Sequence, residues 1–550
     1  MICIPPNLLY AVRAITPFSM LLAFSKPEIE DLYASNLNLK IMSTKPASLI
    51  TLALAATMPA LAQDKPAASV TAAVAAKPVA SPGLANEWLR QQSADFKGWD
   101  IGGQIRARFE AKEGMAIQGQ AGSLDFRAHD AAVNNEYWLT RSRFHIGYND
   151  PWWSLYGEAQ ASTAYSDLRY AYANNPAVAG TIKKLGYGPE SDTIDLHQAF
   201  VTLGNQKEFP LTVKAGRQEF IYGEERLIGA SGWNNIARSF DAAKVRWQND
   251  TFSADVFSGF PVIPENGQLD VDNGQDLFSG IYASIFKIPK TLLDVYFLAR
   301  NSGNGAAGFA PSPQFPQPSA RDIYTIGSRI KSKPGELGHW DYSVEAAYQF
   351  GDYRDARAGA PTQRLTQDAF MFAVQGGYTF ADLWATPRLG LEYSYGSGDS
   401  NPKDGTHGTF DNLFPTNHKF YGFMDFASLQ NLQDLRGMVQ IKPTKTSTLS
   451  LEAHGLWLAS TSDNFYTVSG TPRGSTDATP GNGYGVNPNY SNFLGTEVDV
   501  VGSYAVTKFL QVEAGYGHLF VGRYIEQSLS NPSFGSKDAD WFYSQVTFNF

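Results

Sequence analysis

The segment Trp138-Leu-Thr-Arg-Ser-Arg-Phe-His-Ile-Gly-Tyr148 alternates between apolar and charged residues. Its even positions include Trp138, Phe144, Ile146 and Tyr148, and the odd positions between them include Arg141, Arg143 and His145. Successive side chains of a β-strand point to opposite faces, so one face of this segment is apolar and the other is charged. An amphipathic helix would instead repeat every three or four residues. The pattern predicts a membrane-spanning strand whose apolar face contacts lipid and whose charged face lines a lumen.

The same alternation recurs along the chain. In residues 241–248 the apolar residues stand opposite Lys244 and Arg246, and in residues 386–395 they stand opposite Arg388 and Glu392. Counting such segments gives about eighteen predicted strands. They lie near residues 99–110, 137–148, 152–162, 194–204, 210–221, 239–249, 252–259, 277–287, 291–300, 321–332, 340–350, 368–380, 386–396, 433–443, 447–459, 494–505, 508–520 and 538–550.

The connections between these segments alternate between short and long. Short links, such as residues 149–151 and 249–250, alternate along the chain with long ones, such as residues 163–193 and 397–432. Outer-membrane barrels have short periplasmic turns and long extracellular loops. The sequence therefore predicts an all-β protein: a single transmembrane, antiparallel, up-and-down β-barrel of about 18 strands.

The chain ends on a strand of the same kind. Residues 541–550 place Phe542, Val546, Phe548 and Phe550 on one face. A terminal aromatic on an alternating strand resembles the signal that the barrel-assembly machinery reads. We expect this strand to close the barrel against the one that starts near Trp99.

Composition excludes several other classes of protein. The region after residue 65 has no apolar run of about 18 residues, so helical membrane spanning is not expected. The single cysteine, Cys3, precedes any plausible mature start and leaves no disulfide or thiolate metal site. A net charge of −9 offers no basic footprint for nucleic acid. No cofactor is expected.

The N-terminal region is organised for secretion. Residues 42–62 have a positive start, a short apolar core and a small-x-small cleavage site, which predicts a signal peptide. Translation is then expected to begin at Met42, with residues 1–41 as an upstream extension; alternatively, residues 7–24 are the signal. Residues 63–97, rich in Ala, Pro and Lys, are expected to form a flexible periplasmic leader, and residues 98–550 the barrel.

The predicted lumen contains charges of both signs, which leaves two interpretations open: a salt-bridged interior, or an Arg-rich constriction that favours a polyanion. By alternation, basic lumen residues include Arg106, Arg108, Arg141, Arg143, Lys244, Arg246, Arg300, Arg329, Arg388, Arg436 and Lys442, and acidic ones include Glu158, Asp255, Asp294, Glu345, Glu392, Glu452, Glu497 and Glu513.

Catalysis and metal binding receive little support. Ser450 and His454 face the lumen, where an outer-membrane lipase would not act, and Ser142 and His145 fall on opposite faces. Residues 396–405 are rich in oxygen ligands and glycine but lack the spacing and final Glu of an EF-hand, which favours a polar turn. No metal site is expected.

Several longer blocks resemble the alginate-export family of outer-membrane porins. These blocks include residues 216–229, 233–242, 257–262, 393–399, 414–422, 431–436, 441–443, 454–459 and 494–499. The resemblance covers nearly all of residues 99–550. It implies an eighteen-stranded monomeric barrel with an electropositive constriction that passes the anionic polysaccharide alginate without chemistry.

The resemblance also suggests which residues line the pore. Carried onto this sequence, it makes Arg217, Arg226, Arg238 and Arg436 pore-lining candidates, together with Arg141 and Arg143. Alternation adds Lys244, Arg246 and Arg388. Strict alternation from Leu211 and Val213 would turn Arg217 toward lipid, unless a bulge or a strand end at Gly216 restored it to the lumen.

Three functions follow from these observations. The first is a passive outer-membrane porin that exports an anionic polysaccharide, an alginate-like polyuronate, with a periplasmic export scaffold as a possible partner. The second is an uptake porin for oligosaccharides or small anions. The third belongs to another class, a structural or adhesive barrel whose long loops bind a surface partner.

Overall fold

The first and last long strands of the chain pair with each other. In the computed structural model, β1 (Trp99–Glu113) lies between β2 (Asn134–Asn149) and β18 (Ala539–Asn549), so that Phe109 is opposite Trp138 on one side and Ser544 on the other. The backbone of Phe550 continues this closure through hydrogen bonds with Gly103 in both directions, at 3.0 and 3.1 Å. A closed sheet leaves no unpaired edge, which a lipid environment requires.

The structure describes residues 83–114, 126–129, 134–167, 190–264, 266–303, 320–354, 364–473 and 479–550. Within these residues, eighteen long antiparallel strands form the barrel, and each predicted segment is confirmed as a strand. The remaining ones are β3 (Trp153–Tyr165), β4 (Asp192–Leu203), β5 (Leu211–Gln218), β6 (Phe240–Gln248), β7 (Phe252–Ile263), β8 (Asp276–Ile285), β9 (Thr291–Ser302), β10 (Arg321–Ser332), β11 (Trp340–Tyr353), β12 (Leu365–Thr379), β13 (Arg388–Gly396), β14 (Leu432–Thr444), β15 (Ser447–Leu458), β16 (Phe493–Ala505) and β17 (Leu510–Val521).

Short and long connections alternate strictly around the barrel, as expected. The link between β2 and β3 spans residues 150–152, whereas the next one spans residues 166–191. Several strand boundaries differ from the predicted ones by a few residues; β5, for example, ends at Gln218, so residues 219–221 already belong to the following loop. β5 and β6 are therefore short, and the barrel wall is low at this position.

The burial of β2 confirms the predicted alternation. Trp138, Phe144 and Ile146 are each about half exposed, whereas Arg141 and His145 are buried. Exposed apolar side chains in this number would be a liability in water and are suited to contact with lipid.

The segment before β1 is structured. Residues Leu84–Gln92 form a helix, α1, followed by a 3₁₀ helix at Ala94–Gly98. Asn86 fixes α1 to β1, since its amide donates to Asp100 Oδ1 at 2.6 Å and its Oδ1 accepts the Ile101 N–H at 2.7 Å. Both helices begin within the predicted leader, residues 63–97, whose flexibility stays a prediction. The predicted signal peptide lies outside the described residues. No helix among the described residues is long and apolar enough to cross a membrane.

Two long loops fold into the barrel instead of away from it. Loop A (residues 219–239) and loop B (residues 397–431) meet at a β-bridge between Ile228 and Phe414. An aromatic cluster packs around this contact: the Phe414 ring lies 5.1 Å from that of Phe240 and 4.9 Å from that of Phe278. The largest buried core of the protein thus lies inside the barrel, between the loops and the wall.

Candidate functional site in the barrel lumen

Arg141 is a lumen residue whose guanidinium is occupied by loop A. It lies directly opposite Arg106 across β1 and β2. Both guanidiniums donate to the carbonyl oxygen of Gly232, at 2.9 Å from Arg106 and 3.1 Å from Arg141, and both reach that of Asn234 at 3.3 Å. Carbonyl dipoles from the loop thus compensate two neighbouring like charges. Arg141 lies in the predicted lumen, where it positions loop A.

Arg226 reaches from loop A to the opposite wall and to loop B. Its Nη2 donates to Glu392 Oε1 at 2.7 Å, and its Nη1 donates to the hydroxyls of Tyr421 at 3.1 Å and Ser394 at 3.2 Å. The guanidinium also lies 4.0 Å from the centre of the Phe420 ring. Both partners of the ion pair with Glu392 are almost completely buried. This arginine joins wall, loop A and loop B into one unit.

Arg238 and Arg436 also support the loops. Arg238 donates to the carbonyl oxygens of Gly229 at 2.9 Å and Pro415 at 3.0 Å. Burial, followed by the nearby Arg300 charge, lowers the pKa of Arg238 to about 10. Arg436 binds Glu452 at 2.7 Å and the Lys419 carbonyl at 3.1 Å. Neither guanidinium is available to a solute without loosening a loop contact.

Arg143 belongs to a polar cluster on β2 to β4. Its Nε donates to Gln160 Oε1 at 2.6 Å, and its Nη2 lies 3.1 Å from His197 Nε2. Its Nη1 is 3.6 Å from carboxylate oxygens of Glu158 and Glu219. Here the cation is balanced by two acids, which matches a salt-bridged interior.

Lys244 and Arg246 form a different arrangement, with more cations than acids. Arg246 binds Asp255 with two hydrogen bonds of 2.5 and 2.7 Å, and Lys244 Nζ lies 3.5 Å from the same carboxylate. Lys214 stands directly opposite Lys244 on β5 and forms no hydrogen bond or ion pair with any residue that the structure describes, although its Nζ lies 3.5 Å above the Phe200 ring. We call Lys214, Lys244 and Arg246 the basic strip. The side chains of Lys244 and Arg246 are 18% and 17% exposed, whereas that of Asp255 is 1% exposed.

The expectation that Arg217 lines the pore is wrong. Arg217 pairs with Ala199 and Asp241 across the sheet, on the same face as Val213 and the outward Val245. The side chain binds Asp241 through two hydrogen bonds, at 2.8 and 2.9 Å. Gly216 has a φ of 121°, but the pairing around it keeps its register, so Arg217 is not returned to the lumen.

Arg388 lies inside the barrel near the short-turn end. It forms a bidentate pair with Asp341, at 2.6 and 2.8 Å, and both side chains are partly exposed. The structure therefore places eight of the nine sequence-predicted cations inside the barrel, and it engages Arg141, Arg226, Arg238 and Arg436 in loop contacts. Alternation could also have placed Lys214 in the lumen, but only the structure shows that this lysine forms no ion pair with an acid of the described residues.

Loop B carries an acid that fastens it to the wall. Asp411 forms ion pairs with Arg321 and, at 3.5 Å, with Arg300. Its backbone N–H and carbonyl are both bound by the side chain of Gln349, at 2.7 and 2.8 Å. Burial alone would raise the pKa of Asp411, but the two guanidiniums hold it at about 2. This contact stays charged at any physiological pH.

The serine and histidine pairs considered for catalysis remain separate. Ser450 accepts a hydrogen bond from Gln440, while His454 is fully buried against Asp434. Ser142 and His145 lie on opposite faces of β2, the first exposed and the second buried.

The family pattern described as alginate export matches residues 99–531. The chain belongs to the alginate export family. It is thus an outer-membrane porin of a Gram-negative bacterium, and its family and fold are those of non-enzymatic channels.

The chain is also similar to several solved structures at low sequence identity. Pseudomonas aeruginosa OccK3 (OpdO) is 10% identical, with a TM-score of 0.48 over 82% of this chain and 96% of that one. Pseudomonas aeruginosa OpdK, solved with vanillate, is 11% identical with a TM-score of 0.48, and Acinetobacter baumannii OccAB4 is 11% identical with a TM-score of 0.45; both alignments cover 82% of this chain and 98% of the other. No curated protein sequence matches this chain.

Proposed function

We propose that this porin passes an anionic polysaccharide, an alginate-like polyuronate, outward by passive diffusion. The observation that carries the proposal is the basic strip, in which Lys244 and Arg246 share the carboxylate of Asp255 and Lys214 stands directly opposite Lys244. Because that carboxylate is buried beneath the cations, the face that the strip presents is positive. Membership of the alginate export family supports the same substrate class.

A strip of this kind suits a polymer of repeated carboxylates. Lysine and arginine bind carboxylates by charge-assisted hydrogen bonds. A conducting pathway must attract the solute without holding it too tightly. The three basic residues of the strip, two of which share one acid, offer an incoming uronate a site that each sugar in turn can occupy and leave. No covalent step is needed, and we propose no enzymatic activity.

Planar-bilayer recordings of the purified porin test this proposal. We expect anion selectivity, and block by oligouronates but not by neutral maltodextrins of the same length. Lys214→Gln combined with Lys244→Gln should reduce both effects, whereas Lys445→Gln, in an exposed turn between β14 and β15, should leave them unchanged. Cation selectivity, or equal block by uronate and neutral chains, would contradict the proposal.

One observation favours a second function, an uptake porin for oligosaccharides or small anions. Loops A and B cross the lumen and touch each other: Arg238 binds Pro415, and the rings of Trp233 and His418 stack 4.0 Å apart. A lumen occupied in this way suits small solutes better than a polymer chain. Liposome swelling distinguishes the two functions, since rapid entry of monosaccharide acids with exclusion of long oligouronates would favour uptake.

The remaining partners are part of the same proposal. We propose that the porin acts as a monomer and receives its polymer from a periplasmic scaffold. If the channel shows no conductance even after loops A and B are shortened, a structural or adhesive barrel replaces both transport functions.

A further inference from the structure

Three aspartates from two separate segments converge near the extracellular rim of the barrel. Asp192 and Asp195 belong to the start of β4, and Asp270 belongs to the rim loop, which comprises residue 264 and residues 266–275. One carboxylate oxygen from each lies within 4.8 Å of the others. Asp192 and Asp195 are both buried and form no ion pair with a lysine or arginine of the described residues. Such a concentration of buried negative charge is costly unless a cation compensates it.

Asp192 carries a buried carboxylate oxygen that is not hydrogen-bonded. The residue is 3% exposed, and its Oδ1 has no hydrogen-bond partner among the residues that the structure describes. Together with Asp195, Asp270 and Ser239, it lines a small cavity of about 10 Å³. That volume holds about one particle the size of a water molecule. A buried carboxylate oxygen without a hydrogen bond, on a residue that lines such a cavity, is a ligand position for a cation.

The surrounding contacts hold the three carboxylates in place. Asp195 Oδ2 accepts the Asp270 N–H at 2.6 Å, which brings the rim loop against β4. Thr193 strengthens this contact, since its N–H donates to Asn266 Oδ1 at 3.2 Å and its hydroxyl accepts the Gly267 N–H at 2.8 Å. Arg217, which the family resemblance had made a pore-lining candidate, donates to the Asp270 carbonyl at 3.1 Å. The carboxylates are therefore positioned before any ion arrives.

We propose that Asp192, Asp195 and Asp270 bind one Ca²⁺ ion that fastens the rim loop to β4. Ca²⁺ takes oxygen ligands in irregular geometries, and extracellular modules bind it with dissociation constants of about 0.1–1 mM. Mg²⁺ demands near-ideal octahedral geometry and gives up its waters reluctantly, so three carboxylates held in fixed positions favour Ca²⁺. The bound ion stabilises the rim above the short strands β5 and β6, where the barrel wall is lowest.

Calorimetric titration of the full-length, EDTA-treated porin with CaCl₂ tests the site. We expect one Ca²⁺ per chain, at least tenfold weaker binding in Asp192→Asn and Asp270→Asn, and unchanged binding in Asp272→Asn. Asp272 is the matched control because it lies in the same rim loop but is exposed and outside the cluster.

Thermal unfolding supplies a second readout that separates ion binding from a folding defect. In EDTA, Asp192→Asn should be at least as stable as the parent, because the substitution removes repulsion between carboxylates. In Ca²⁺, only the parent and Asp272→Asn should gain stability. The absence of Ca²⁺ binding up to about 10 mM, well above the extracellular range, would overturn the proposal. Equal affinity for Mg²⁺, or a loss of binding in Asp272→Asn as large as in Asp192→Asn, would overturn it as well.

Discussion

Replacing Arg226 by glutamine should release loop A from the barrel wall. The substitution removes the charge that faces Glu392 at 2.7 Å, and it leaves that carboxylate buried in the wall with Arg436 at 3.6 Å as its nearest remaining cation. Breaking a buried pair by removing one partner costs about 3–5 kcal/mol. A loss of about 3 kcal/mol raises the population of the undocked loop roughly 150-fold.

Cysteine labelling can measure this population directly. Mature chains starting after residue 62 contain no cysteine, because Cys3 is the only one in the sequence. Ala230 lies in loop A and is 5% exposed, so Ala230→Cys provides a small, buried reporter. We expect its rate of reaction with a water-soluble thiol reagent to rise about 100-fold when Arg226→Gln is added, since labelling follows the open population.

An exposed ion pair provides the control for this experiment. Arg364 pairs with Asp322 and Asp352 at the side of the long loops, and its side chain is 52% exposed. Exposed pairs contribute about 0–1 kcal/mol, so Arg364→Gln should change the labelling rate no more than a few fold. If Arg226→Gln has no larger effect than Arg364→Gln, Arg226 does not hold loop A, and our account of the lumen is wrong.

Three further outcomes follow from the same contacts. Asp411 holds loop B with a pKa of about 2. Because this value is below that of an aspartate in the unfolded chain, about 4, the stabilisation is complete above pH 4 and is lost as the pH falls toward 2. Channel currents recorded across this pH range should show loop opening only in that window. Gly422→Ala should weaken the docking of loop B by at least about 1 kcal/mol. Gly422 has a φ of 89°, and a Cβ there would lie 2.4 Å from the carboxylate of Glu497. The rate of thiol labelling of a cysteine in loop B measures the weakened docking. Gly103→Val should block barrel closure, because a Cβ there would lie 2.5 Å from the Phe550 ring. The variant should fail to give the compact, heat-modifiable form on gels. Normal assembly would show that the closing pair of strands tolerates a side chain at this point.

Most of the barrel could be predicted from local patterns. The alternation in β2 identified which of its residues face lipid, because the two-residue period of a strand fixes the direction of every side chain once one face is apolar. Arg217 illustrates the same rule: alternation pointed it outward, and the resemblance to a family of porins pointed it inward. The structure agrees with alternation, since the ladder to Ala199 and Asp241 continues without a shift in register.

The contents of the lumen could not be predicted in this way. Loops A and B have no periodicity, and their position depends on contacts between residues far apart in sequence, such as Arg226 with Glu392 and Ile228 with Phe414. A basic residue on the inner face of a strand is equally compatible with an open pore and with an occupied one. Only the partners of each guanidinium distinguish a lining residue from a loop support.

The sequence by itself determined the strand count, the alternating connections and the closing position of Phe550, because all three follow from the short-range geometry of strands and turns. The tertiary structure decided which charges remain available in the lumen. It also decided that Asp192, Asp195 and Asp270 meet at one cavity. Such groupings depend on how loops return to the barrel, and this is governed by packing and charge compensation between distant segments rather than by any local pattern.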